Sequence, residues 1–313
     1  MTEWRILITD GLDEEGKAIL RQEALVDDRP GISPDELGEA IGEYHALIVR
    51  SRTRVTAELF QKAGRLEVVG RAGVGVDNID LAAATLRRVT VVNAPLSTTL
   101  AVAEHTLGLM LALARHLPRA DAAMKTGQWL KSELQGVELN GKVLGIVGVG
   151  SIGGAVAQRA AALGMSILGY DPLLAPAVIH SRGCEPVGLA ELYSRSDFIS
   201  LHVPLGPETR NMISGQALGQ MKRGVRLVCT ARGGIIDETA LLGALEAGQV
   251  AGAALDVFAR EPPGLTALVS HPNVIATPHV AAQTAEAQVR AARDIAAEVL
   301  SALRGKALRW KVV

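Results

Sequence analysis

Val143-Leu-Gly-Ile-Val-Gly148-Val-Gly150-Ser-Ile-Gly153 is the stretch on which the fold turns. Five mostly apolar residues read as a buried strand. They run straight into three glycines spaced G-x-G-x-x-G, and Gly154-Ala-Val-Ala-Gln-Arg-Ala-Ala-Ala-Leu163 follows as a good helix former. Gly148 permits a tight turn, Gly150 lets backbone approach a pyrophosphate closely, and Gly153 lets helix and strand pack together; the helix N-terminus then faces the phosphates. Asp171 closes the next expected strand about twenty residues further on, where a carboxylate accepts hydrogen bonds from both hydroxyls of an adenosine ribose. The same charge repels a 2′-phosphate, so the expected cofactor is NAD rather than NADP.

Outward from this turn, short apolar runs rich in β-branched residues alternate with helical stretches, the pattern of parallel sheets wound with helices. C-terminal to Gly141 the expected strands are Val143–Val147, Ser166–Tyr170, Phe198–His202, Val225–Cys229, Gly252–Asp256 and Val274–Thr277. Six parallel strands joined by crossover helices make a doubly wound dinucleotide-type sheet. Before residue 100 a second, smaller series is expected at Arg5–Thr9, Ala46–Val49, Glu67–Gly70 and Val89–Val92, with helices near Asp13–Arg21, Ser33–Gly42, Thr56–Gly64 and Ile79–Leu86. A helix over Leu100–Arg115 leaves little polar face, so it must be buried in a core or against another subunit. The last helix, about Ala281–Leu303, is long enough to return to the first domain and make that domain discontinuous.

Composition narrows the partners. A chain of 313 residues with a formal charge of −1 fits two ordinary domains and carries no basic excess that would draw it to nucleic acid or an anionic membrane surface. Cys184 and Cys229 are the two cysteines, far apart and without metal-type spacing, which fits a reducing compartment and points to no metal site. The N-terminus Met1-Thr-Glu-Trp-Arg-Ile-Leu-Ile-Thr-Asp10 has no signal-type apolar region, and no stretch approaches the ~20 apolar residues of a membrane span. A soluble cytoplasmic protein is expected.

Three polar residues fall just beyond the ends of late strands, where ligands bind in open α/β sheets. They are Arg232 in Cys229-Thr-Ala-Arg-Gly-Gly-Ile-Ile-Asp237, Glu261 in Asp256-Val-Phe-Ala-Arg-Glu-Pro-Pro263, and His279 in Ala276-Thr-Pro-His-Val280. Oxidising an alcohol to a ketone needs a base for the hydroxyl proton, and histidine, with an ordinary pKa of about 6.5, suits that work near neutral pH. His279 is the expected acid/base, Glu261 the carboxylate that orients it, and Arg232 the fork for a substrate carboxylate and carbonyl oxygen. His202 also ends a strand and reads as structural or as a lining of the cofactor cleft. His105, inside the apolar helix, reads as a satisfied buried histidine.

These motifs resemble the phosphoglycerate dehydrogenase branch of the D-2-hydroxyacid dehydrogenase family. The likeness runs through Leu47-Ile-Val-Arg-Ser51, Val69-Gly-Arg-Ala-Gly-Val-Gly-Val-Asp-Asn78, Val92-Asn-Ala-Pro95, Glu138-Leu-Asn-Gly-Lys142, the glycine turn, Ala231-Arg-Gly-Gly234, Ala254-Leu-Asp-Val-Phe258 and Pro278-His279. It implies a Rossmann NAD-binding domain, residues 99–283, inserted into a smaller flavodoxin-like substrate domain of residues 1–98 plus 284–313. It implies cofactor contacts at Val74, Ser151, Ile152, Asp171, Val203, Thr230, Ala231, Asp256, Ala281 and Ala282, with Asp256 near the nicotinamide amide. It also places Arg50, Ser51, Arg71, Ala72, Gly73, Val74 and Asn93 around the substrate, beside Arg232 and His279. The two arginines of the first domain would meet a second anionic group.

The leading substrate is then 3-phosphoglycerate, taken to 3-phosphohydroxypyruvate or back as the first step of serine biosynthesis. The alternatives are 3-sulfolactate, glycerate with hydroxypyruvate, and glycolate with glyoxylate. A corepressor-like protein that binds NAD(H) as a signal is the reading from another class. The resemblance also implies a homodimer or homotetramer formed through the cofactor domain, and closure of the domains to exclude water. The sequence departs from the family where Val280-Ala-Ala-Gln-Thr284 replaces a frequent glycine and serine, where Val74 replaces a threonine, and where Lys131 stands for an arginine. It ends at Val313, so serine feedback through a C-terminal regulatory domain is not expected.

Overall fold

Each strand ladder in the computed structural model, which describes residues 4–313, is parallel. Met1–Glu3, the start of the N-terminal stretch Met1–Asp10, lies outside the described residues. The chain divides into one unit of Met1–Thr98 with Ala282–Val313 and another of Thr99–Ala281.

The discontinuous unit holds β1 (Trp4–Ile8), β2 (Ala24–Asp28), β3 (Ala46–Val49), β4 (Val68–Arg71) and β5 (Thr90–Asn93), ordered β2-β1-β3-β4-β5. That is the flavodoxin-like order. Four strands are expected from sequence and five are found. The extra one, β2, is an edge strand whose Ala-Leu-Val-Asp-Asp run lacks a long apolar signature. Its acids are paired by neighbouring side chains: Asp27 takes the Tyr44 hydroxyl at 2.7 Å and Arg5 of β1 at 3.2 Å, and Asp28 pairs with Lys17.

The final helix, Ala285–Leu303, starts four residues later than expected, behind a Thr284 cap whose side chain accepts the Ala287 amide. Its buried stripe of Ala287, Ala291, Ala292, Ile295, Ala296, Val299, Leu300 and Leu303 recurs at helical spacing. Each large member contributes about 1.5–3 kcal/mol by leaving water. Gly70 of β4 makes this docking close, because a Cβ there would sit 2.6 Å from Val299 Cγ2. The buried Glu298 on the same helix accepts the amides of Arg309 and Trp310 at 3.1 and 3.2 Å. It thereby fixes a tail that pairs with β5 through Val312 N–H to Val91 O.

The second unit carries β6 (Val143–Val147), β7 (Ser166–Tyr170), β8 (Glu185–Pro186), β9 (Phe198–Leu201), β10 (Val225–Cys229), β11 (Val250–Leu255) and β12 (Val274–Ala276). Their order is β12-β11-β10-β9-β6-β7-β8, seven strands where six are expected. The addition, β8, is two residues long and includes a proline, which a sheet tolerates at its edge and which conceals the strand in the sequence. The chain winds outward from β6 to β8, then restarts at β9 on the other side of β6. The topological switch therefore lies between the carboxyl ends of β6 and β9, the place where open α/β sheets bind ligands.

The apolar helix spans Thr99–Ala114 and buries Ala103, Leu107, Met110 and Leu113, but Leu100 and Leu111 remain 45% and 41% exposed. Burial on all sides is thus not achieved inside this chain.

Candidate active site

The switch point is occupied by the glycine turn. β6 ends at Val147, and the helix Ser151–Ala162 begins after Gly150. Gly148 has φ +90°, and a Cβ there would fall 2.7 Å from His202 O and 2.9 Å from Val203 Cγ1, so the end of β9 lies directly against the turn. A Cβ on Gly153 would fall 2.1 Å from Gly148 O, which is the close helix–strand approach. Around Gly150 the space is open, with nothing within 4 Å of a would-be Cβ. No side chain among the described residues caps this helix. Its first-turn amides at Ser151, Ile152 and Gly153 are therefore left for an anion, and the residues present fit a dinucleotide pyrophosphate.

Asp171 follows β7 and also shapes the turn. Its Oδ2 accepts Val149 N–H and its Oδ1 accepts Leu173 N–H, both at 3.0 Å. Each oxygen retains a second lone pair for a ribose hydroxyl. His202, at the end of β9, hydrogen-bonds Ser200 Oγ through Nε2 at 2.8 Å, and burial pushes its pKa down to about 4. It is neutral at working pH.

Three loops of this unit gather the proposed triad. His279 Nδ1 lies 2.8 Å from Glu261 Oε2, and Glu261 Oε1 accepts the Phe258 amide at 3.1 Å. The carboxylate is thus fixed by backbone while it holds the imidazole. His279 is one of few non-glycine residues with positive φ, at +55°, and its side chain is 42% exposed. Arg232 sits on the neighbouring loop, with Nη1 donating to Ala231 O at 2.6 Å. Gly233 lets that loop lie on the segment carrying Glu261, since a Cβ would fall 1.8 Å from Phe258 O.

What holds His279 in its unusual backbone conformation is Asp256, which is completely enclosed. Its main-chain carbonyl accepts His279 N–H at 2.8 Å; its Oδ1 accepts Thr277 Oγ1 at 2.5 Å and Val280 N–H at 2.9 Å; its Oδ2 accepts Ala281 N–H at 2.9 Å. Burial pushes this carboxyl up, but hydrogen bonds from His105, Thr277 and the two amides outweigh it and hold its pKa below the ordinary value. In this structure Asp256 thus braces the histidine loop from inside and does not present its carboxylate at the surface.

His105 belongs to the same network rather than to a closed core. Its Nε2 lies 3.2 Å from Thr277 Oγ1 and 3.6 Å from Asp256 Oδ1, with the side chain 25% exposed. Among the other expected cofactor contacts, Ser151 is exposed, while Ile152, Val203, Ala231 and Ala282 are half-buried. Thr230 is buried and shares its hydroxyl with Thr106 at 2.9 Å, and Ala281 is buried with its amide on Asp256.

The first unit assembles the expected substrate residues at the carboxyl ends of β1, β3 and β4. The Arg50 amide donates to Asp10 Oδ2 at 2.8 Å, and Thr53 donates to the same carboxylate through N and Oγ1. Asn78 Nδ2 ties down the Arg50 and Thr53 carbonyls at 2.9 and 2.6 Å. Arg50 borders a cavity of about 290 Å³ with Asp10, Ala72 and Gln288, and its Nη2 reaches Gln283 Oε1 at 3.2 Å. The Arg71 guanidinium lies against the Gly73 backbone, where any Cβ would collide with it. Asn93 Nδ2 braces this segment through Val74 O at 2.7 Å, Val74 and Asn93 are half-buried, and Ser51 is exposed. Asp10 and Gln283 are the residues that sequence reasoning does not single out here.

Residues 107–281 match the family model described as D-isomer specific 2-hydroxyacid dehydrogenase, NAD binding domain. A D-3-phosphoglycerate dehydrogenase from Synechocystis is 46% identical over 308 residues, 98% of this chain and 56% of that protein. The chain thus spans little more than half the length of the curated relatives it matches. Among solved structures, a glyoxylate reductase from Paecilomyes thermophila superposes with a TM-score of 0.92 at 30% identity, covering 100% of this chain and 99% of that one. A D-lactate dehydrogenase from Aquifex aeolicus, complexed with NAD and lactic acid, does so with a TM-score of 0.84 at 30% identity, covering 96% of each chain. The fold agrees with these matches. The chain belongs to the D-isomer specific 2-hydroxyacid dehydrogenases.

Proposed function

We propose that this protein interconverts a small anionic 2-hydroxy acid and its 2-oxo acid with NAD, and that 3-phosphoglycerate and 3-phosphohydroxypyruvate are the pair it serves. The observation that carries the reading is the 2.8 Å contact between His279 Nδ1 and Glu261 in the unit that bears the glycine turn. When bound, NAD accepts the two electrons and the C2 hydrogen of the hydroxy acid, or returns them. A carboxylate at Nδ1 keeps the ring proton there, so Nε2 is the nitrogen that takes the substrate hydroxyl proton during oxidation and gives it back during reduction. Glu261 holds the ring in that tautomer and offsets the charge it gains. Arg232 binds the substrate carboxylate and polarises the oxygen at C2.

Arg50 and Arg71 are assigned to the second anionic group. This assignment favours a phosphorylated substrate, and the relatives named as D-3-phosphoglycerate dehydrogenases support it. We also propose a homodimer or homotetramer paired through the Thr99–Ala281 unit. Leu100, Leu111, Leu117, Met124 and Trp129 are 41–76% exposed there, more apolar surface than one stretch usually leaves in water. A reducing cytoplasm is the proposed location, supported by two buried free cysteines; no helix among the described residues is long and apolar enough to cross a membrane.

The test is a panel of 2-oxo acids with NADH, followed at the nicotinamide absorbance. Phosphohydroxypyruvate should give the highest kcat/KM. If glyoxylate or sulfopyruvate exceeds it by about tenfold, the substrate assignment fails. If no 2-oxo acid turns over, a corepressor-like binding role replaces the enzymatic one.

A further inference from the structure

We propose that Arg182 is a positioning residue for the dinucleotide, acting through the peptide that follows Val149; the proposal rests on the reading of the glycine turn as an NAD site. Val149 lies between Gly148 and Gly150, so both of its peptide planes border a residue with no Cβ to resist rotation. A turn of this kind needs outside contacts to keep one orientation. Two are present. Asp171 Oδ2 takes the Val149 N–H at 3.0 Å, and Arg182 Nη1 donates to the Val149 carbonyl.

The consequence follows from peptide geometry. In a trans peptide the C=O and N–H point in opposite directions. Holding the Val149 carbonyl on Arg182 therefore aims the Gly150 N–H to the opposite side, and holding the Val149 N–H on Asp171 likewise fixes the Gly148 carbonyl. The Gly150 amide stands next to the open space at that residue and to the uncapped amides of Ser151–Gly153. Arg182 lends itself to the task because it is anchored at both ends. It caps the helix Pro176–Ser181, its amide bonding to Ile179 O at 3.1 Å, and its stem crosses Gly154, where a Cβ would lie 3.4 Å from Arg182 Cδ. The residue thus ties the helix that follows β7 to the turn that follows β6, and adds a cation beside the helix end that faces the pyrophosphate.

The test compares wild type with Arg182→Met, which keeps the stem and loses the donor, and Arg182→Lys, which restores a donor and the charge. NADH and ADP-ribose affinities are measured by fluorescence and calorimetry, and amide exchange over residues 148–153 is followed by mass spectrometry without ligand. Arg182→Met should weaken both ligands about tenfold by lowering the fraction of binding-competent turn, speed exchange in that segment, and leave kcat at saturating NADH in place. Arg182→Lys should recover most of the affinity, to within about threefold of wild type. A Met variant that binds NADH within about twofold of wild type, shows unchanged exchange, or loses its cooperative unfolding transition overturns the proposal. Failure of the wild-type chain to bind NADH would instead overturn the reading beneath it.

Discussion

Gly150→Ala separates what the glycine turn does for the fold from what it does for a ligand. Gly150 has φ −71° and ψ −156°, which alanine can adopt, and nothing lies within 4 Å of the added Cβ. The ligand-free protein should therefore keep its stability to within about 1 kcal/mol. A pyrophosphate seated on the helix N-terminus, however, must share that open space with the new methyl. Overpacking costs about 1–3 kcal/mol, which is a loss of about 5- to 150-fold in affinity. Gly153→Ala is the contrasting variant, because its Cβ would lie 2.1 Å from Gly148 O in a buried position and the fold itself must give way. Urea denaturation reads stability and NADH fluorescence titration reads binding. Gly150→Ala with unaltered NADH affinity, or with a stability loss as large as that of Gly153→Ala, would refute the reasoning.

Three further outcomes follow from the same geometry. Asp171→Ala should weaken NADH by at least about tenfold and narrow the preference over NADPH, since it removes a charged acceptor and a repulsive charge together; unaltered cofactor preference in paired titrations would count against the ribose role. Arg71→Ala should lower kcat/KM for phosphohydroxypyruvate by about tenfold or more and spare glyoxylate; equal losses would mean that it does not read the distal anion. His202 governs a pH effect: its folded pKa of about 4 lies below an unfolded value near 6.5, so the unfolded chain binds a proton that the folded chain refuses as pH falls between them. Stability should accordingly drop by about 2.5 kcal/mol from this group between pH 7 and 4.5, and His202→Gln should flatten that part of a urea-stability profile.

The parts of the site that are local in sequence are the parts that can be read from it. The glycine turn, Asp171 and the strand-end position of His279 each depend on a few consecutive residues: the turn lies at the switch point with Asp171 bonded to it, and His279 follows β12 at the sheet edge. The bracing is different in kind. Asp256 holds the histidine loop, and Asp10 the Arg50 loop, through backbone amides that lie 24 to 40 residues or more away, so no spacing rule announces them. His105 reads as a core residue because its own helix is apolar, and only the approach of Thr277 reveals a polar partner. The strands absent from the sequence reading, β2 and β8, are edges, where charge and proline are tolerated and the usual apolar signature fades.

The account stands on proton transfer at His279. The most direct measurement compares wild type and His279→Ala at saturating NADH with the fastest 2-oxo acid of the panel, alongside NADH binding to each. Turnover should fall by about 10² or more in the variant while the NADH Kd holds within about twofold. A variant that turns over at the wild-type rate would contradict the assignment of the acid/base, and with it the reaction proposed for this chain.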